Sequence, residues 1–131
     1  TKTCISHLKS QGYKVYGTSS HLENHYTPQN VPIDSPLAII MGKEHTGISQ
    51  DAIDNCDGMI YIPMYGFTES FNVSVAASLI AQPIISRIKD SNLPWQISDK
   101  EKENLYYEWI WMNIKNPDVL YKEWAVNISK A

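Results

Sequence analysis

The sequence predicts an α/β domain built on a parallel sheet. Short apolar runs such as Leu37-Ala-Ile-Ile-Met41 are bounded by turn residues, the pattern of strands buried on both faces beneath helices. These runs alternate with amphipathic segments in the order helix, strand, strand, helix, strand, helix, which is the order of layered α/β units. At 131 residues and 43% hydrophobic content, the chain is long enough to bury about two-thirds of its unfolded surface in one core.

The opening segment places Ile5 and Leu8 at helical spacing and stops at Gly12, a residue suited to the position just past a helix end. Tyr13 to Ser20 carries the aromatic and β-branched residues of a strand. Residues 21–36 are polar and broken by Pro28, Pro32 and Pro36, so they form a loop. Loops longer than about 12 residues usually serve a function. Ser49 is placed to cap a short helix over residues 50–56, and Met59 to Ile62 forms the next strand, ended by Pro63. Val73, Ala76, Ala77, Ile80, Ile84 and Ile88 then mark one face of a long helix.

From residue 91 onward the pattern becomes a helical tail, so the expected division is a sheet domain over 1–90 and an extension over 91–131. Ser98 and Glu101 form a capping-box pair that opens the first tail helix, and Pro117 takes the first position of the last one. The tail holds all 4 tryptophans, which are expected to pack the tail onto the sheet domain rather than to stack on bases.

Several classes are set aside by composition. No run reaches the roughly 18 to 20 apolar residues of a membrane span, and the first residues lack a secretory layout. The chain is expected to be cytoplasmic, with no membrane partner. Its 2 cysteines, Cys4 and Cys56, have no CxxC company and are expected to be reduced. The net charge of −3, with Arg87 the sole arginine, differs from the basic face of a free-standing nucleic-acid binder. His21 and His25 share an i, i+4 spacing, but nothing nearby completes a ligand set, so no metal is expected.

Chemistry is expected in two loops, Gly42 to Gly47 and Pro63 to Ser70, each following the carboxyl end of an apolar strand. These strands are expected to be neighbours, and that edge of an open α/β sheet is where ligands bind. Glycine in both loops lets main chain approach a ligand closely. Neither loop is a GxxxxGK[ST] or GxGxxG element. A nucleoside held by backbone groups fits better than a cradled triphosphate.

"IIMGKEHTGI" at 39–48 and "IPMYGFTESFNVSVA" at 62–76 together resemble the second and third signature motifs of the SpoU/TrmH family of SPOUT RNA ribose 2′-O-methyltransferases. The resemblance extends from about residue 2 to residue 89, and the tail is similar to the extension of the tRNA guanosine members. Phe71 stands where the family usually has Leu. The resemblance implies a trefoil-knotted parallel sheet that binds S-adenosylmethionine, with Thr18, Ser19, Gly42, Ile62, Met64 and Phe71 lining the site. It also implies a homodimer, for which the small residues of the 74–81 helix suit an interface, and a tRNA or rRNA substrate, with tRNA guanosine favoured.

By match to the motifs, Ser70 and Asn72 would face the reacting ribose, and Glu44 would orient backbone groups or a partner's residues. The family's first motif, with the arginine that activates the hydroxyl, is not present, and Arg87 lies in the helix after the third motif. The chain is therefore expected to be the C-terminal part of such an enzyme. The alternative is a non-catalytic module that keeps the cofactor pocket and binds RNA or a protein partner. A generic α/β nucleotide binder is disfavoured by the lack of a phosphate loop.

Overall fold

The computed structural model describes residues 1–19, 26–43, 45–68 and 70–128, with side chains as far as residue 125. Its elements are α1 (Lys2–Ser10), β1 (Lys14–Ser19), β2 (Leu37–Ile40), α2 (Gln50–Asn55), β3 (Gly58–Tyr61), α3 (Val73–Lys89), α4 (Asp99–Asn113) and α5 (Pro117–Ile128). They fall into two compact units, Thr1–Pro94 and Trp95–Ala131.

In the first unit a 3-stranded sheet has the order β2-β1-β3, and both pairings are parallel, with Gly17 opposite Ile40 on one side and Met59 on the other. Successive residues of a strand point to opposite faces, and β1 shows the consequence. Val15 packs with Ile5 and Ala52 beneath α1 and α2, whereas Tyr16 packs with Ile60, Ile80 and Ile84 beneath α3. The sheet is thus covered on both faces.

Two expectations need correction. Leu37–Ile40 was read as a strand buried on both faces, but it is an edge strand of half-buried residues. The central place belongs to β1, whose mixed composition, with Lys14, Gly17, Thr18 and Ser19, does not announce it. The strands preceding the two chemistry loops are also not neighbours, because β1 lies between them.

The N-terminal ends of the strands are tied by one carboxylate. The Val15 N–H donates to Asp57 Oδ2 at 2.8 Å, the Asp57 N–H donates to the Val15 carbonyl at 2.7 Å, and Lys9 Nζ lies 3.2 Å from Asp57 Oδ1. On the other face, Tyr26 forms a parallel bridge beside β3, donating to the Met59 carbonyl and accepting from the Tyr61 N–H. Its ring meets that of Tyr16 edge-on at 5.5 Å.

In the second unit Ser98 and Glu101 complete the expected capping box at the start of α4. The tail's aromatic residues find partners within the tail: Tyr107 stacks on Trp111 at 5.6 Å, Trp111 meets Tyr121 at 6.0 Å, and Tyr121 lies against Trp124 at 5.8 Å. The Trp111–Tyr121 pair joins α4 to α5. Among the described residues, no helix is long and apolar enough to cross a membrane.

Candidate ligand-binding crevice

In the order β2-β1-β3 the chain leaves β1 toward one side and returns to the other, so the β1/β3 junction is a topological switch point. A crevice is expected at the carboxyl ends of the strands there. The structure has one, of about 490 Å³, within the range of small-molecule sites.

Its floor is the end of β1. Thr18 and Ser19 line it, and the Thr18 hydroxyl donates to the Ile40 carbonyl at 3.2 Å, tying the ends of β1 and β2 together. Gly17, just below, sits against side-chain tips: an added Cβ would lie 2.7 Å from Met59 Sδ and 2.9 Å from Ile48 Cδ1, which would have to shift to admit it.

One wall is the loop after β2. Lys43 and Gly47 exchange backbone hydrogen bonds of 3.0 and 2.9 Å, and Gly47 takes a φ of +64° that favours glycine. This closure brings Gly42 against the returning limb, where an added Cβ would meet Gly47 Cα at 3.0 Å and Ile48 N at 3.2 Å. Gly42 is therefore needed for backbone-to-backbone packing within the loop. Lys43, His45 and Ile48 line the crevice on this side.

The opposite wall is the loop between β3 and α3. Ile62, Met64, Ser70 and Phe71 line the crevice, followed by Val73 and Ala76 from the first turns of α3. Asn72 caps that helix, its Oδ1 accepting the Ser74 N–H at 2.9 Å. Because Oδ1 is the capping atom, Nδ2 is the end of the amide left to address a ligand.

The structure thus brings Thr18, Ser19, Gly42, Ile62, Met64 and Phe71 together around one space, with Ser70 beside them. Asn72 sits at the edge, engaged as a cap rather than on the wall. Glu44 lies outside the described residues, as do His21 and His25. Among the described residues no His, Cys, Asp and Glu cluster could hold a metal ion. Sequence reasoning missed Lys43, Ile48 and Met59 as lining residues. The signal for Lys43 was its place between Gly42 and Gly47, whereas Ile48 and Met59 look like ordinary core.

Arg87 does not approach this space. Its Nη1 donates to the carbonyls of Pro28 at 3.2 Å and Val31 at 2.8 Å, fastening the loop before β2 to α3. Cys4 and Cys56 are free thiols; burial pushes the Cys56 thiol up, against the opposing pull of the Lys9 ammonium.

Fold and crevice define a parallel-sheet α/β ligand-binding domain of the doubly covered type. More particularly, the chain belongs to the SpoU rRNA Methylase family, whose model matches residues 1–82. The tRNA (guanosine(18)-2′-O)-methyltransferase of Borreliella burgdorferi is 34% identical over 115 residues, 88% of this chain. The chain spans 52% of that relative's length.

Among solved structures, the A. aeolicus TrmH/SpoU tRNA modifying enzyme superposes with a TM-score of 0.71 at 23% identity, over 87% of this chain and 58% of its own. The SpoU methyltransferase AviRb from Streptomyces viridochromogenes, solved in complex with the cofactor AdoMet, gives a TM-score of 0.52 at 23% identity, over 66% and 33%. At these identities the two structures speak to the fold, a mixed α/β domain on a parallel sheet.

Proposed function

We propose that the protein is an S-adenosylmethionine-dependent RNA ribose 2′-O-methyltransferase acting on tRNA, with guanosine as the target nucleotide. The observation that carries this reading is the convergence of Thr18, Ser19, Gly42, Ile62, Met64 and Phe71 on one crevice at the switch point of the sheet. Family membership and a tRNA guanosine 2′-O-methyltransferase among the relatives support it.

The residues present suit this cofactor. The crevice offers apolar Ile and Met side chains, glycine-bearing loops and the hydroxyls of Thr18 and Ser19, which fit an adenosine and a zwitterionic tail better than a polyphosphate. Bound there, S-adenosylmethionine supplies the activated methyl group. Thr18, Ser19 and Gly42 hold one side of it, while Ile62, Met64 and Phe71 hold the other. Ser70 and the Nδ2 end of Asn72 would orient the ribose toward the methyl group; the cofactor supplies the leaving group and the protein supplies position. Glu44, which lies outside the described residues, is assigned by its motif position to orienting backbone groups or a partner subunit's residues.

The parallel sheet and its loops are read as the trefoil-knot core over 1–90, with 91–131 as its helical extension. The protein acts as a cytoplasmic homodimer. The exposed Val75 and Leu79, four residues apart on α3, beside small Ala and Ser residues, supply a face for a second subunit.

A second reading has a specific observation in its favour. The sole arginine is bound to the carbonyls of Pro28 and Val31, so this chain brings no guanidinium to the crevice to help activate a hydroxyl. On that reading it is a non-catalytic module that keeps the pocket and binds RNA or a protein partner.

Titration of S-adenosylhomocysteine by calorimetry, followed by methyl transfer from labelled S-adenosylmethionine to a tRNA transcript, tests both. Binding with transfer to a ribose 2′-oxygen supports the enzyme. Binding without transfer supports the module, and no binding removes both.

A further inference from the structure

Tyr65 and Phe67 are the most exposed large hydrophobic residues among those described, at 92% and 107% of full accessibility. A buried aromatic ring removes some 150 to 250 Å² from water, and single exposed rings are ordinary on a surface. Here, however, two rings flank one glycine, Gly66, whose φ of +117° is open to glycine. They stand in the segment whose neighbours on both sides, Met64 and Ser70, line the crevice. The rings are therefore displayed at its rim, while their neighbours face inward.

The other wall carries a cation. Lys43 lines the same crevice, held in place by its paired backbone bonds to Gly47. Among the described residues the ion pair is Lys9 with Asp57, and no carboxylate engages Lys43. Aromatic faces on one wall and the Lys43 ammonium on the other match a planar base joined to a phosphate. They match it best in a single strand, where bases are free to stack on protein rings.

Resting on the RNA methyltransferase reading, we propose that Tyr65 and Phe67 form a stacking platform for an unpaired nucleobase of the RNA and that Lys43 holds an adjoining phosphate. The loop after β3 would then serve two ligands, the cofactor through its inward residues and the RNA strand through its outward rings.

The test uses a short single-stranded oligoribonucleotide carrying 2-aminopurine, with binding read by anisotropy and stacking by fluorescence quenching. The parent protein is expected to bind and quench. Tyr65→Ala with Phe67→Ala should weaken binding by about five- to a hundredfold and abolish quenching, whereas Tyr65→Phe should keep both. Lys43→Gln should lower the slope of log K against log salt by about 0.7. Affinity for S-adenosylhomocysteine should be unchanged in the aromatic variants, which also shows that they are folded.

Unchanged RNA affinity and quenching in the double variant would overturn the proposal. So would its conversion from dimer to monomer in sedimentation, which would assign the rings to a subunit interface. A parent that binds S-adenosylhomocysteine but no RNA sinks this inference and leaves the cofactor site standing; a parent that binds neither removes the functional reading itself.

Discussion

The Thr18 hydroxyl donates to the Ile40 carbonyl at 3.2 Å, so the strand ends that floor the crevice are joined by a side chain as well as by the ladder. Thr18→Val keeps the shape and removes the donor, leaving that carbonyl without this partner. Loss of about 1 kcal/mol of stability is expected, read as a lower urea midpoint at unchanged m-value, with Thr18→Ser restoring most of it.

Gly42 offers a sharper probe of the site than of the fold. A Cβ there would lie 3.0 Å from the Gly47 backbone, and main chain cannot swing aside as a side-chain tip can. Gly42→Val should open the loop and weaken S-adenosylhomocysteine binding by about tenfold or more in calorimetry, as overpacking of about 1 to 3 kcal/mol implies. Undiminished affinity would place the cofactor elsewhere.

Asp57 gives stability a pH dependence. Burial pushes its carboxyl up, but the Val15 N–H and the Lys9 ammonium outweigh this and hold it below the usual carboxylate range. A group with a lowered native pKa stabilises the fold above its unfolded value, about 3.9 for aspartate, and loses that contribution as pH falls through the native value. The urea midpoint should therefore drop as the solution is acidified below about pH 4. Asp57→Asn should flatten that drop, while Lys9→Met should cost less than about 1 kcal/mol because the ion pair is exposed to solvent.

Arg87 fastens the loop before β2 to α3 through two carbonyls. Hydrogen bonds from a charged donor contribute roughly 1.5 to 3 kcal/mol, so Arg87→Met should destabilise the first unit by an amount in that range. Arg87→Lys should recover part of it. Faster hydrogen exchange at residues 27–31 in Arg87→Met would locate the loss in the loop.

Ser98→Ala removes the acceptor for the Glu101 N–H and one partner of the Glu101 carboxylate. A cap of this kind contributes about 1 kcal/mol. Far-ultraviolet circular dichroism on heating should show earlier loss of helix in the variant, and Ser98→Asp should behave nearly as the parent.

Much of this protein was legible along the chain, because helix and strand periods, turn glycines and caps are local properties. Ile5 and Leu8 with Gly12 gave α1 and its end, Ser98 with Glu101 gave the start of α4, and the two glycine-bearing motifs gave the loops that wall the crevice. What the chain could not reveal was the order of the strands. Parallel pairing joins residues far apart in sequence, and an apolar run looks the same at a sheet's edge as at its centre, so the run at Leu37–Ile40 suggests a strand buried on both faces beside the next apolar one, whereas it lies at the edge with β1 between them.

That placement is what sets Thr18 and Ser19 between the two loops instead of beside them. Likewise, the sole arginine could be found by inspection, but only folding showed its guanidinium turned to carbonyls 59 and 56 positions away. Composition and period determined which segments become helices, strands and loops. The tertiary structure decided which of them meet, since the free energy that selects an arrangement comes from burial and pairing between segments that no local window contains.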